Sequence, residues 1–365
     1  MDNTTLSTLL KRNNDIINIL LENVKDYSGW VDLIAVTGSF VTGGYHEKSD
    51  LDIFLVINDE KAKELNRCFI LGDVGFDIYS VDMNHLNDTA GYRTPHLSKL
   101  LSSEIIYSSP EGLRQFNLLR DKAQNLLSDE KFYSDIISEH LGVMLTAYEE
   151  MKCTEDKYSL YMALGKFIVF CEYVLYTLNR KFITGVKAIA REISEMKYLP
   201  DGFTDKYTSL PSLTSKEEII IACGDIADSL CGYLIKINAV KELPAVKSIP
   251  SGENPAKTIP TKENFRGVYE EFISNYKHKL HLASKTQDIY YSFINTVYSQ
   301  LFLDEIYNFF DIPRIDLISS YDPTDLNANA VNFDEAAKKI LTVYEKIGLK
   351  VNYYSDTEEL KKLYK

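Results

Sequence analysis

One tryptophan, five cysteines without a Cys-x-x-Cys pair and fewer cations than anions are the scarcities of this 365-residue chain. Each excludes something. Cys68, Cys153, Cys171, Cys223 and Cys231 are odd in number and scattered. They suit neither a disulfide framework nor a thiolate zinc site, and they imply a reducing compartment, so the expected location is cytoplasmic. The formal charge of −13 argues against a general nucleic-acid binder, which would present a basic face. The N-terminal MDNTTLSTLLKRNNDIINIL lacks a basic region followed by a continuous apolar stretch, so it does not read as a signal peptide. No run reads as apolar for the length of a membrane span, and no membrane partner is expected.

What the chain does have is material for cores, with 45% hydrophobic residues and tyrosine and phenylalanine in abundance. Its length fits two or three domains. Leu6, Leu9, Leu10, Ile16, Ile17, Leu20, Leu21 and Val24 recur at helical spacing. VDLIAVTG (31–38), LDIFLVI (51–57) and VGFDIYSVD (74–82) read as strands, with a fourth near 105–107 and a short helix in DEKAKELNRC. From 129 onward helical periodicity dominates, including YSLYMALGKFIVFCEYVLYTLNRKF and the aromatic-rich 289–310, which reads as core or a subunit interface. Four of the ten prolines fall in 243–262, the clearest linker. The expected fold class is therefore α+β: a small mixed sheet over 1–125, a helical domain over 126–242, the linker 243–262 and an additional helical region over 263–365.

The stretch VTGSFVTGGYHEKSDLDIFLVI (36–57) carries the chemistry. Side chains alternate along a strand, so Asp50 and Asp52 are expected on one face with Leu51 and Ile53 on the other. Two carboxylates that close repel unless a cation lies between them, and Mg²⁺ takes oxygen ligands from one or two carboxylates plus substrate phosphates. Asp77, between Phe76 and Ile78, would complete a three-carboxylate cluster able to hold two ions. Asp82 is its rival at the strand end. Gly38 lets backbone approach a phosphate, the Ser39 hydroxyl adds a donor, and Lys48 is placed to touch phosphate or solvent. His46 reads as a solvated loop residue, and His278 with His281 as a polar helix face.

Thr-Gly-Ser, ten residues, then Asp-Leu-Asp before an apolar run resembles the signature of the DNA polymerase beta-type nucleotidyltransferase superfamily. The resemblance implies that Gly38 and Ser39 bind a triphosphate and that Asp50, Asp52 and Asp77 bind Mg²⁺, as one or two ions. The segment 174–207, ending in Leu199-Pro200-Asp201-Gly202-Phe203, is similar to the helical domain of kanamycin nucleotidyltransferase-like enzymes. This implies an enzyme moving a nucleoside monophosphate from an NTP to a hydroxyl of a small acceptor, such as an aminoglycoside- or lincosamide-like compound, and releasing pyrophosphate. It also allows a homodimer. Glu172, a lone acid on an apolar helix, is the candidate general base, with Glu149 and Glu150 as fallbacks. The alternatives are nucleotidylation of a protein or tRNA target, and a non-catalytic nucleotide-binding or interaction protein.

Overall fold

The structure is a computed structural model that describes residues 2–245 and 258–362. Most of the linker expected at 243–262 falls on 246–257, outside the described residues. The chain forms two compact units, one of 1–125, 261–278 and 340–365, the other of 126–260 and 279–339.

The first unit opens with the helix Asn3–Asn23. Asp2 caps it by accepting from the Thr5 N–H at 2.8 Å, and Leu9, Ile16, Ile19 and Leu20 form its buried stripe. Six strands follow: β1 (Val31–Thr37), β2 (Asp52–Ile57), β3 (Arg67–Leu71), β4 (Val74–Val81), β5 (Glu104–Ser108) and β6 (Tyr353–Tyr354). They lie in the order β5-β1-β2-β4-β3-β6, with β2 parallel to β4, β3 parallel to β6 and the other pairs antiparallel. The mixed sheet expected from the sequence is therefore present. One face packs Ile34, Val36, Ile53, Leu55, Phe69, Phe76 and Ile78 with Ile16 and Leu20 of the helix.

Two expectations are corrected here. Arg67–Leu71 is a strand, where the sequence suggested a helix running through Cys68; the preceding 3-10 helix stops at Leu65. Five residues are too few to show a period. What decides the matter is the two-residue loop Gly72-Asp73, with Gly72 at φ 64°, which folds β3 back onto β4 from the Leu71–Val74 pair. In addition, 263–365 does not cluster as one helical body. Its ends, 261–278 and 340–365, belong to the sheet unit, and 279–339 belongs to the helical unit. Within the sheet unit the cause is polar. Buried Glu270 accepts from the Tyr344 hydroxyl at 2.8 Å and from the Asn352 N–H at 2.6 Å, and the Ile70 N–H donates to Asn352 O at 2.8 Å.

The second unit is helical. Its main helices are Glu130–Cys153, Lys157–Leu178, Lys216–Lys236 and Ile289–Phe309. Lys157–Leu178 corrects the membrane reading on one point, because it is long and apolar enough to cross a membrane. Here most of it is buried within the unit, from Leu160 to Thr177. Gly165 sits where a Cβ would come within 2.8 Å of Val297, so Ile289–Phe309 lies close against it. The aromatic-rich 289–310 segment supplies core: Tyr161, Phe293 and Tyr321 meet edge to face at 5.3–6.1 Å. Gly202 of the Leu-Pro-Asp-Gly-Phe motif is left-handed (φ 65°) and starts the helix Phe203–Ser209.

Candidate active site

The face of the sheet opposite the apolar core carries a polar row. Thr37 pairs with Asp52 across β1 and β2. Ile53 pairs with Ile78 across the parallel β2 and β4, which sets Asp52 beside Asp77 one residue earlier. Cys68 pairs with Asp77 across β3 and β4. The neighbours Val36, Ile53, Ile78 and Phe69 all belong to the core face, so alternation puts Thr37, Asp52, Asp77 and Cys68 side by side on the other.

The electrostatics agree with that placement. Burial, and then the Asp52 charge, push the Asp77 carboxyl up to about 6, while Lys99 pulls it back. Lys99, on the short helix Ser98–Leu101, is lowered by burial and held up in turn by Asp52 and Asp77. Its Nζ lies 4.7 Å from the centroid of the Tyr79 ring. Tyr79 is raised by burial, then by Asp52 and Asp77. Lys99 and Tyr79 were missed in the sequence. Lys99 is remote from the aspartates along the chain and belongs to a four-residue helix, so only the folded sheet reveals it.

Gly38 closes the row at the end of β1. Its φ of 73° suits glycine, and a Cβ built there would overlap Asp52 Oδ2. The turn continues into Ser39–Thr42, where the Thr42 N–H returns to Gly38 O at 3.2 Å. The expected short helix after Gly38-Ser39 is thus one turn, pressed against an aspartate.

Asp50 is different. It precedes β2, where strand alternation no longer governs direction. Its charge instead acts on Arg12, whose guanidinium is lowered by burial and held up by Asp50 and Asp73. Arg12 donates to Ser49 O at 2.6 Å and stacks 4.9 Å from the Phe76 centroid. Among the described residues no three acids, histidines or cysteines gather closely enough to hold a metal, so the expected three-carboxylate cluster is not assembled. Two carboxylates remain side by side. They fit Mg²⁺ as a hard cation that completes its shell with water and phosphate. The Thr37 hydroxyl in the same row is buried without a hydrogen-bond partner, a further oxygen suited to such a site.

The other candidates are engaged elsewhere. Lys48 pairs with Asp73 in the β3–β4 loop. Asp82 caps the helix Met83–Ala90 by accepting from the His85 N–H at 2.7 Å. His278 Nε2 lies 2.7 Å from Asp73 O, and His281 Nε2 lies 3.4 Å from Asp334. Glu172 belongs to the helical unit, fully buried, where its Oε1 accepts from the hydroxyls of Tyr207 and Tyr290. Glu150 pairs with Lys166 at 2.8 Å and Glu149 with Lys152 at 2.7 Å. Glu150 and Lys166 border a mainly apolar cavity of about 790 Å³ with Met162, Phe170 and Leu301.

With this geometry in place, comparison with known families gives one match: residues 17–101 fit the family model of the nucleotidyltransferase domain. That span contains Gly38, Ser39, Lys48, Asp50, Asp52, Asp77 and Lys99. The chain thus carries a nucleotidyltransferase domain there, with transfer of a nucleoside monophosphate as its suggested chemistry. A search of curated proteins finds no match.

Proposed function

We propose that this protein is a Mg²⁺-dependent enzyme that moves a nucleoside monophosphate from an NTP to an acceptor hydroxyl. The observation that carries the reading is the Asp52–Asp77 pair, with Asp52 pressed against the Gly38 turn. Asp52 and Asp77 would hold the ion, with the Thr37 hydroxyl beside them. When bound, Mg²⁺ supplies charge neutralisation at the phosphates. Gly38 and Ser39 offer backbone and hydroxyl donors to the β- and γ-phosphates, and Gly38 has no Cβ to keep them away. Lys99, already attracted by both carboxylates, is the cation nearest in electrostatic terms and would meet developing negative charge on the leaving group. The acceptor oxygen attacks the α-phosphorus, the bond to the bridging oxygen breaks, pyrophosphate leaves and the hydroxyl proton ends in solvent. A small aminoglycoside- or lincosamide-like acceptor and a cytoplasmic setting belong to the same reading, supported by the resemblance of 174–207 to kanamycin nucleotidyltransferase-like enzymes and by the cysteine pattern.

The test is a thermal-shift series with ATP, GTP, CTP and UTP, with and without Mg²⁺. At least one nucleotide should raise Tm in a Mg²⁺-dependent way, and Asp52→Asn should abolish the rise. No Mg²⁺-dependent shift with any of the four would overturn the reading.

A further inference from the structure

One end of the sheet gathers charges that the carboxylate pair does not use. The Gly38 turn leaves β1 there and the loop 46–50 enters β2 there, since Thr37 pairs with Asp52. The turn Gly72-Asp73 leads into β4 at the same end, because β2 and β4 run parallel. These segments, the helix Asn3–Asn23 and His278 all belong to the sheet unit. Lys48, Arg12 and Asp73 meet here. Lys48 pairs with Asp73. Arg12 reaches in over the Phe76 ring, 4.9 Å from its centroid, and donates to the carbonyl of Ser49, the residue after Lys48.

The Arg12 guanidinium is poorly answered where it stands. It donates from Nη2 to Ser49 O at 2.6 Å and from Nε to Asn13 Oδ1 at 3.2 Å, and both acceptors are neutral. Asp50 and Asp73 hold its charge up against burial. A planar fork of this kind is suited to a bidentate anion. Arg12 also lies outside the matched span 17–101. Asp73, in contrast, is held loosely. Its pair with Lys48 joins side chains that are 59% and 41% exposed, and such surface pairs contribute little. The backbone of the turn is anchored instead, with His278 Nε2 2.7 Å from Asp73 O. The carboxylate can therefore leave Lys48 by side-chain rotation alone.

We infer that Arg12 and Lys48 form the seat of the terminal phosphate of the nucleoside triphosphate, and that Asp73 is an internal anion that fills the seat until the triphosphate arrives. This rests on the transferase reading and adds to it roles for Arg12 and Asp73 in nucleotide selection. Val74 precedes Asp77 by three residues, roughly 10 Å along the strand. Phosphates that start at the Asp52–Asp77 pair and pass the Gly38 turn run towards this end, where two long cationic side chains reach back to them. A terminal phosphate carries more charge and more acceptor oxygens than the Asp73 carboxylate. On its arrival Lys48 exchanges one anion for another, and Arg12 gains a charged partner. A diphosphate is one phosphate too short to do this, so the seat distinguishes NTP from NDP.

The test is calorimetric titration of the full chain, in Mg²⁺, with ATP, GTP, CTP and UTP and with the four corresponding diphosphates. In the wild type the triphosphate of the preferred base should bind about tenfold more tightly than its diphosphate. Arg12→Gln should erase that difference by weakening the triphosphate and leaving the diphosphate unchanged, and Arg12→Lys should restore part of it. Asp73→Asn should act in the opposite direction, tightening the triphosphate by about threefold and the diphosphate less. A gain of that kind cannot come from a damaged fold. Equal weakening of triphosphate and diphosphate by Arg12→Gln, or a triphosphate affinity that Asp73→Asn lowers or leaves unchanged, would overturn the inference. The Mg²⁺–NTP thermal shift is read on the same samples. If the wild type shows that shift and the variants fail to separate NTP from NDP as stated, the phosphate seat alone fails; if the wild type shows no shift with any of the four, the transferase reading fails.

Discussion

At Asp77 two demands conflict. A half-buried carboxylate beside Asp52 is costly for the apo fold, yet the same pair is what a divalent cation needs. The Asp77 carboxyl is raised from 3.8 to about 6. Below the unfolded value both states are protonated. As pH rises towards the folded value the unfolded chain ionises first, and stability is lost over that window. Asp77→Asn should therefore stabilise the metal-free protein at pH 7 by about 1–2 kcal/mol, less than the full shift implies because the group is partly solvated. The same variant should lose the Mg²⁺–NTP thermal shift. Urea unfolding in EDTA checks the first half, and a variant less stable than wild type at pH 7 would show that Asp77 is a structural acid.

Among the elements, the three helical pieces that meet at Glu172 make a similar case. Lys157–Leu178 supplies the glutamate, Phe203–Ser209 supplies Tyr207 and Ile289–Phe309 supplies Tyr290. Burial pushes Glu172 from 4.5 up to about 7, with the two hydroxyls opposing. Stability from this group is full below the unfolded value and is lost as pH rises to about 7, some 3 kcal/mol in all. Glu172→Gln keeps an oxygen for both hydroxyls and has no charge to bury. Between pH 5 and pH 8 it should gain about 1–3 kcal/mol on the wild type in urea melts. A difference that does not change with pH would mean that Glu172 is not protonated in the fold.

These elements also show what the sequence could and could not convey. β1, β2 and β4 were legible because each carries enough alternating or apolar residues to define a face, and the Thr-Gly-Ser to Asp-Leu-Asp spacing located one end of the sheet. β3 and β6 were not, because five and two residues hold no period and their identity comes from pairing. Asp52 and Asp77 could be expected together only by assuming that their strands are neighbours, which the parallel register bears out. Asp50 lies before the strand begins, and its charge acts on Arg12. Glu172 was conspicuous as a lone acid, but its partners lie 35 and 118 residues away, beyond any local pattern. Lys99 had no local signal at all.

For the whole molecule, chain order and unit membership part company. The proline-rich stretch at 243–262 suggests a chain divisible there into independent parts, yet each unit draws on both sides of it. The sheet unit takes β6 against β3, the Gly72 N–H to Tyr354 O bond at 2.8 Å, the close approach of Ser274 to Gly75, and Leu360 in its core from the later part. The helical unit takes Tyr290, Phe293, Ile294 and Val297. A fragment of 1–250 would leave β3 as a bare sheet edge, and would open the Gly165 face and deprive Glu172 of one hydroxyl. Exposed edges and vacated core positions favour aggregation over folding. Expressed alone, 1–250 should lack a cooperative unfolding transition; co-expressed with 251–365, the two should copurify and regain the Mg²⁺–NTP thermal shift. If 1–250 alone unfolds cooperatively with a wild-type Mg²⁺–NTP shift, the later chain adds nothing to the catalytic unit.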